Sequence, residues 1–161
     1  MNPNLQRLIQ LAESTFDVKH DPDQLAVDAT VLDRLGGIHP ATMAEERTPD
    51  GPIAWTLVIP TTVPLMEAFL SGHLSERQMY EATPVKARYQ SIYLCSAMVL
   101  PEHRRQGVAR RMLSSSIQAI RGDHAISDLF FWPFSLEGEQ LAVAVAQETG
   151  LPLHRRLGLT R

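Results

Sequence analysis

The chain has 161 residues, 44% of them apolar and 20% charged, enough for one full hydrophobic core and too few for two ordinary domains, which excludes a disordered or fibrous protein. Its 15 basic and 18 acidic residues leave a formal charge of −3, so nothing draws the whole chain to nucleic acid or an anionic membrane, and any affinity for anions has to be local. Cys95 is the single cysteine, which excludes an intramolecular disulfide and a cysteine metal cage and favours a reducing compartment.

The opening stretch MNPNLQRLIQLAEST lacks the basic start and unbroken apolar run of a secretion signal, and no run approaches the ~20 apolar residues of a membrane span. A cytoplasmic protein is expected. Leu5, Leu8, Ile9, Leu11 and Ala12 follow at helical spacing behind Asn4 as a cap, which predicts a first helix ending near Thr15. The region from Asp17 to Pro40 reads as a short strand around Leu25 to Val27 and then a helix through Val31, Leu32 and Leu35, stopped by Gly36 and Gly37.

Two strand-like segments, ATMAEER and PIAWTLVIPT, flank TPDG, whose Pro49, Asp50 and Gly51 have turn chemistry; Ile53, Trp55, Leu57 and Ile59 alternate onto one face. Two short helices are expected next. Thr62 caps the first, with Pro64 in its opening turn and Gly72 at its end; Ser75 and Gln78 stand at capping-box spacing for the second, which runs to about Ala82. The run SIYLCSAMVL reads as a buried strand, and Val108, Met112, Leu113, Ile117 and Ile120 share one face of a helix closed by Gly122. DLFFWPF reads as a further strand that Pro133 confines to an edge or interrupts, followed by a helix from Leu141 to Thr149 stopped by Gly150. The final LHRRLGLTR is a candidate last strand, with a partner chain, as in a homodimer, as a candidate to complete the sheet. The order is α/β, with a parallel pair of strands bridged by an arginine-rich helix.

That bridging segment, VLPEHRRQGVARRML, places Arg104, Arg105, Arg110 and Arg111 around Gly107 at a helix start. Unpaired N–H groups and the positive end of the helix dipole gather there, so arginines are unfavourable unless an anion offsets them. A strand feeding a glycine turn into a helix is a ready anion site, and Gly107 lets a phosphate approach the main chain. Arginine adds forked donors suited to phosphate oxygens. The competing reading is a solvated basic face. No Gly-Lys-Ser/Thr follows and the three-glycine dinucleotide pattern is missing, so the ligand differs from those of the familiar nucleotide loops.

In RRQGVA, Arg104, Gly107 and Ala109 match Arg/Gln-x-x-Gly-x-Gly/Ala, with Pro101 three residues upstream. On this motif, with the strand before it and the helix, strand and helix after it, the chain resembles the GNAT superfamily of acyl-CoA-dependent N-acyltransferases. A second family block, Asn-x-x-Ala followed by tyrosine and Gly-Phe, is matched at Ala142 and Gly150 in EQLAVAVAQETGL, whereas Glu139, Ala146 and Leu151 replace the asparagine, tyrosine and phenylalanine. The resemblance runs from about Ile92 to Gly150, and the two helices between Thr62 and Ala82 look like an insertion.

The resemblance implies a single GNAT-like domain: a mixed central sheet with splayed parallel strands, flanked by helices. It implies acetyl-CoA or another acyl-CoA as co-substrate, with its pantetheine against the main chain of Met98 and Val99 and its diphosphate on Arg104, Arg105, Gln106, Gly107, Val108, Ala109 and Arg110. The expected reaction is direct attack of a primary amine of a small molecule or protein on the thioester; a non-catalytic acyl-CoA sensor is the alternative, favoured by Ala146. Candidate proton-transfer groups are Glu45 and Glu46 before the TPDG turn, Tyr93, and Ser135 in place of the missing tyrosine. The plain accounts are solvated hairpin carboxylates, a packing tyrosine with a hydrogen-bonded tip, and a helix cap. A nucleic-acid module using the four arginines is opposed by the net charge and by the lack of interleaved exposed aromatics. His20, His39, His73, His103, His124 and His154 show no paired metal-ligand spacing, so no metal is expected.

Overall fold

The structure, a computed structural model, describes residues 3–15, 23–133 and 135–157. Parts of the expected Asp17–Pro40 and LHRRLGLTR segments, and Phe134, therefore lie outside the described residues. In chain order come α1 (Pro3–Thr15), α2 (Ala29–Ile38), β1 (Met43–Thr48), β2 (Gly51–Thr61), α3 (Val63–Leu70), α4 (Glu76–Ala82), β3 (Ser91–Val99), a 3₁₀ turn (Pro101–His103), α5 (Val108–Arg121), β4 (Asp128–Phe131), α6 (Leu136–Thr149) and β5 (Leu153–Arg155). The strands form one sheet in the order β1-β2-β3-β4-β5, antiparallel from β1 to β3 and parallel from β3 to β5. This is the mixed α/β architecture read from the sequence, with α5 crossing over between the parallel strands and two helices inserted before β3.

Local chemistry sets most boundaries. The Ser75 hydroxyl accepts from the Gln78 N–H while the Gln78 side chain accepts from the Ser75 N–H, so the capping box forms as spaced. Val108, Met112, Leu113, Ile117 and Ile120 are all buried along α5. Gly150 ends α6 in the left-handed conformation, at φ 71°. Several expectations are corrected by tertiary context. Asn4 lies inside α1, not before it, with its Oδ1 accepting from Arg7. No strand forms at Leu25 to Val27, because the Leu25 N–H donates instead to Glu76 Oε1 at 2.7 Å.

Helix α2 continues through Gly36 and Gly37 to Ile38, since burying Leu35 and Ile38 outweighs the ~1 kcal/mol helix penalty of each glycine. Thr62 precedes α3 without a side-chain capping bond. Strand β4 stops at Phe131, ahead of Trp132 and Pro133, while α6 starts at Leu136, capped by Ser135, earlier than the periodicity predicts. The one-sided alternation expected of β2 is also absent. Its residues are buried on both faces, with only Trp55 half-exposed, because α1 and α5 pack against it and its inner end joins the core built on Phe69, Tyr93 and Phe130.

Candidate functional site

Strands β3 and β4 pair only from Ser91 with Asp128 to Leu94 with Phe131. Beyond Leu94, β3 continues to Val99 along β2 alone. The register on β2 slips at this point, Leu57 facing Ser96 and Val58 facing Leu94, so Cys95 is the extra residue of a bulge. A strand that keeps one neighbour and loses the other leaves a cleft and a row of main-chain groups pointing into it. The cleft measures about 720 Å³ and is lined by β3 from Leu94 to Val99, by the loop and first turn of α5, and by Phe131, Trp132, Ser135 and the first turns of α6.

The mouth of the cleft is the arginine-glycine loop. Gly107 caps α5 at φ 75°, and Arg105 also holds a left-handed backbone, at φ 63°, a conformation that costs a residue with a Cβ roughly 1–2 kcal/mol. The first intrahelical bond of α5 is from the Arg111 N–H to the Gly107 carbonyl at 3.0 Å. The N–H groups of Arg105 to Arg110 donate to no acceptor among the described residues, as the geometry of a helix start requires. Arg104 folds back, its Nε donating to the Val99 carbonyl at 3.0 Å, and Arg111 donates to the Gln106 carbonyl at 2.8 Å. Arg110 lies 3.5 Å from Glu148 on α6, and Arg105 has no ion pair among the described residues. Of the carboxylates near the loop, Glu148 faces Arg110, Glu137 lines the cleft from α6, and Glu102 is bound by Arg7 at 2.7 Å to both oxygens, a bond that holds its pKa below the usual range. Positive charge therefore prevails at the mouth.

The expected ligand-binding residues Met98, Val99, Arg104, Arg105, Gly107, Val108, Ala109 and Arg110 all line this cleft, and Gln106 stands in the loop between them. The Met98 side chain also packs with Leu8, Val108 and Met112 in a small core of its own. Ser135 lines the cleft while its Oγ accepts from the Gly138 N–H at 3.0 Å, so it is at once wall and helix cap.

The other proton-transfer candidates are elsewhere. Glu46 is exposed on β1 opposite Ala54, which in turn faces Val99, so a whole strand separates it from the cleft. Glu45 accepts from Trp55 Nε1 at 2.9 Å and from Arg47 at 2.8 Å, and those hydrogen bonds lower its pKa. Tyr93 is fully buried, stacked on Phe130 with centroids 5.1 Å apart. Its hydroxyl donates to Glu76 Oε2 at 2.5 Å.

Sequence reading did not single out Glu76, a 3% exposed carboxylate on α4; the aromatic run FFWPF reads as core in preference to pocket lining, and its Phe131 and Trp132 are both, buried and forming the inner wall of the cleft. Trp132 is braced by Phe69 at 6.0 Å, edge to face, and by the Arg156 guanidinium at 4.6 Å. The only hint of Glu76 in the chain is the capping box, which fixes where α4 starts and hence where its first turn lies. Among the described residues no group of His, Cys, Asp or Glu is arranged to hold a metal, and no helix is long and apolar enough to cross a membrane.

No family model matches this sequence, and no curated protein does. Among solved structures, the chain is similar to Chaetomium thermophilum Naa20, determined in complex with a bisubstrate analogue, at 19% identity and a TM-score of 0.39. The match covers 65% of this chain and 48% of that one, so the chain spans about half the length of this neighbour.

Proposed function

We propose that the chain is a GNAT-type N-acyltransferase of one domain, which transfers an acyl group, most simply acetyl, from acyl-CoA to a primary amine of a small molecule or protein. The observation that carries this reading is the junction of two features: a cleft opened where β3 outlasts β4, and unbonded loop amides from Arg105 to Arg110 at its mouth. In this reading the diphosphate rests on those amides with Arg104, Arg105 and Arg110 around it, and the pantetheine runs along Val99 and Met98. The acyl end then reaches Cys95, Phe131 and Trp132. Helix dipoles and free amides favour a dianion there by the same physics that disfavours four bare arginines.

Bringing the amine to the thioester supplies proximity, and main-chain donors of β3 can polarise the carbonyl as negative charge develops. The ammonium must lose a proton first, which for a lysine-like amine costs roughly 4–5 kcal/mol at pH 7. The C–N bond then forms as the C–S bond breaks, and the nitrogen's remaining excess proton goes to the departing thiolate.

Calorimetry with acetyl-CoA tests the binding half: saturable binding by the wild type, lost on Gly107→Val, is expected. Release of free CoA thiol across a panel of primary amines tests the transfer half. A second reading, a non-catalytic acyl-CoA sensor, is favoured by Ala146, which is buried in α6 and offers no hydroxyl where the family has a tyrosine. Tight binding without thiol release from any amine would select it.

A further inference from the structure

The depth of the cleft is fixed by the two strands that form it. Its vertex is the last β3–β4 pair, Leu94 with Phe131, and its outer end is marked by the Val99 carbonyl, to which Arg104 Nε donates at 3.0 Å. The five residues of β3 that outlast β4, Cys95 to Val99, span roughly 16 Å at the ~3.3 Å rise of a strand. A fully extended pantetheine arm, with its two amide units, covers about the same distance from phosphorus to sulfur, because the bond lengths are those of a peptide chain. A sulfur delivered from the loop therefore arrives near the vertex, with little cleft ahead of it.

The wall at that end is braced from behind. Trp132, the residue after β4, lines the cleft and is 8% exposed. Phe69 of α3, itself fully buried, meets the indole edge to face at 6.0 Å. The Arg156 guanidinium lies over both rings, 4.6 Å from that of Trp132 and 4.4 Å from that of Phe69. The Arg156 N–H donates to the Phe131 carbonyl at 3.1 Å, which fastens this clamp to the end of β4. On the β3 side, Cys95 is backed by Glu76 of α4 at 3.9 Å. Both helices inserted before β3 thus stand behind the inner end. In a close-packed interior a ring held on these sides does not swing aside without displacing buried neighbours.

We infer that Trp132 is the end-stop that sets acyl-chain length, restricting the donor to chains of about two or three carbons; this rests on the acyl-CoA binding proposed above and holds for transferase and sensor alike. A longer chain needs the volume that the indole occupies or has to fold back along the pantetheine. Each methylene without room costs on the order of tenfold. The preference then comes from one residue of the wall, not from the diphosphate loop, which grips every acyl-CoA alike.

A chain-length series tests this by binding alone, with no acceptor amine needed. Calorimetry compares CoA with its acetyl, propionyl, butyryl and hexanoyl thioesters on wild type, Trp132→Phe and Trp132→Ala. Wild type is expected to bind hexanoyl-CoA at least about 100-fold more weakly than acetyl-CoA. In Trp132→Ala that ratio should fall to within about tenfold, and in Trp132→Phe, with a smaller ring, it should fall several-fold. A wild type that binds hexanoyl-CoA as tightly as acetyl-CoA, or a ratio that the Trp132 variants leave unchanged, overturns the inference and leaves the acyl-CoA reading standing. Failure of wild type to bind CoA or any of its thioesters overturns both. If Trp132→Ala does not fold, the ratio in Trp132→Phe decides.

Discussion

Gly107 is the residue on which the loop turns. A Cβ built there would lie 3.4 Å from Arg111 Nη1, an ordinary contact with the end of a flexible side chain, so space does not forbid alanine. The backbone does, at φ 75°. Gly107→Ala is expected to cost about 1–2 kcal/mol, read as a fall in Tm of about 2–8 °C, and the larger Gly107→Val to remove acetyl-CoA binding as well. Arg105 presents the opposite case, a residue that accepts a left-handed backbone at φ 63° and makes no ion pair among the described residues. Arg105→Gly relieves that strain at the expense of a more flexible unfolded chain, two effects of similar size. Its Tm is expected to stay near wild type while acetyl-CoA affinity falls several-fold, which calorimetry and thermal melts separate. The loop was legible in the sequence because glycine and arginine announce their chemistry locally. Glu76 was not, because its neighbours Leu25, Tyr93 and Cys95 come from segments far apart in the chain. Nothing at position 76 itself distinguishes a buried carboxylate from a solvated one.

Among elements, α2 shows where local propensity was overruled. The sequence reading ends it at Gly36, yet the helix continues for the packing of Ile38 and closes with the His39 N–H on the Leu35 carbonyl. A Cβ at Gly36 would meet nothing within 4 Å, whereas one at Gly37 would come within 3.3 Å of Val85 Cγ1. Gly36→Ala is therefore expected to stabilise by about 0.8–1 kcal/mol, and Gly37→Ala by less, because Val85 must give way; paired thermal melts check the order. The β4–β5 pair carries a pH dependence. Asp128 accepts from Ser127 Oγ at 2.6 Å and from His154 Nε2 at 2.8 Å. Burial pushes its carboxyl up, but the hydrogen bonds from Ser127 and then His154 outweigh it and leave the pKa lowered. A lowered carboxyl pKa contributes stability above the unfolded value of ~3.9, and that stability is lost as pH falls through the folded pKa. Asp128→Asn is expected to cost about 1 kcal/mol at neutral pH and nothing once the wild-type carboxyl is protonated, so the two urea midpoints converge in acid. Strand β5 itself was foreseen only as a candidate, since its three residues, Leu153–Arg155, are too few to show an alternation.

At the scale of the whole molecule, the net charge of −3 and the basic mouth of the cleft make opposite demands on an anionic ligand. Averaged over the surface, the chain repels it. Within a few ångströms of Gly107, the guanidinium groups and free amides attract it, and Arg7 removes Glu102 as a local competitor. Which field prevails depends on distance, because screening acts over ~10 Å at 0.1 M salt. The general order of strands and helices could be read from periodicity, but the cleft could not: it exists because β4 ends at Phe131 while β3 runs on to Val99, a difference of length between elements that no pattern within either one records. Binding across that gap should hold the sheet and α5 together. At a CoA concentration about 100 times Kd, the folded state gains roughly 2.7 kcal/mol, which corresponds to a rise in Tm of about 5–10 °C. Pantetheine fills the gap without a diphosphate, so at the same concentration its shift should be much smaller and indifferent to salt. The CoA shift should shrink as ionic strength rises and vanish in Gly107→Val. Equal shifts from CoA and pantetheine would locate the binding energy in the gap between the strands and remove the loop's role.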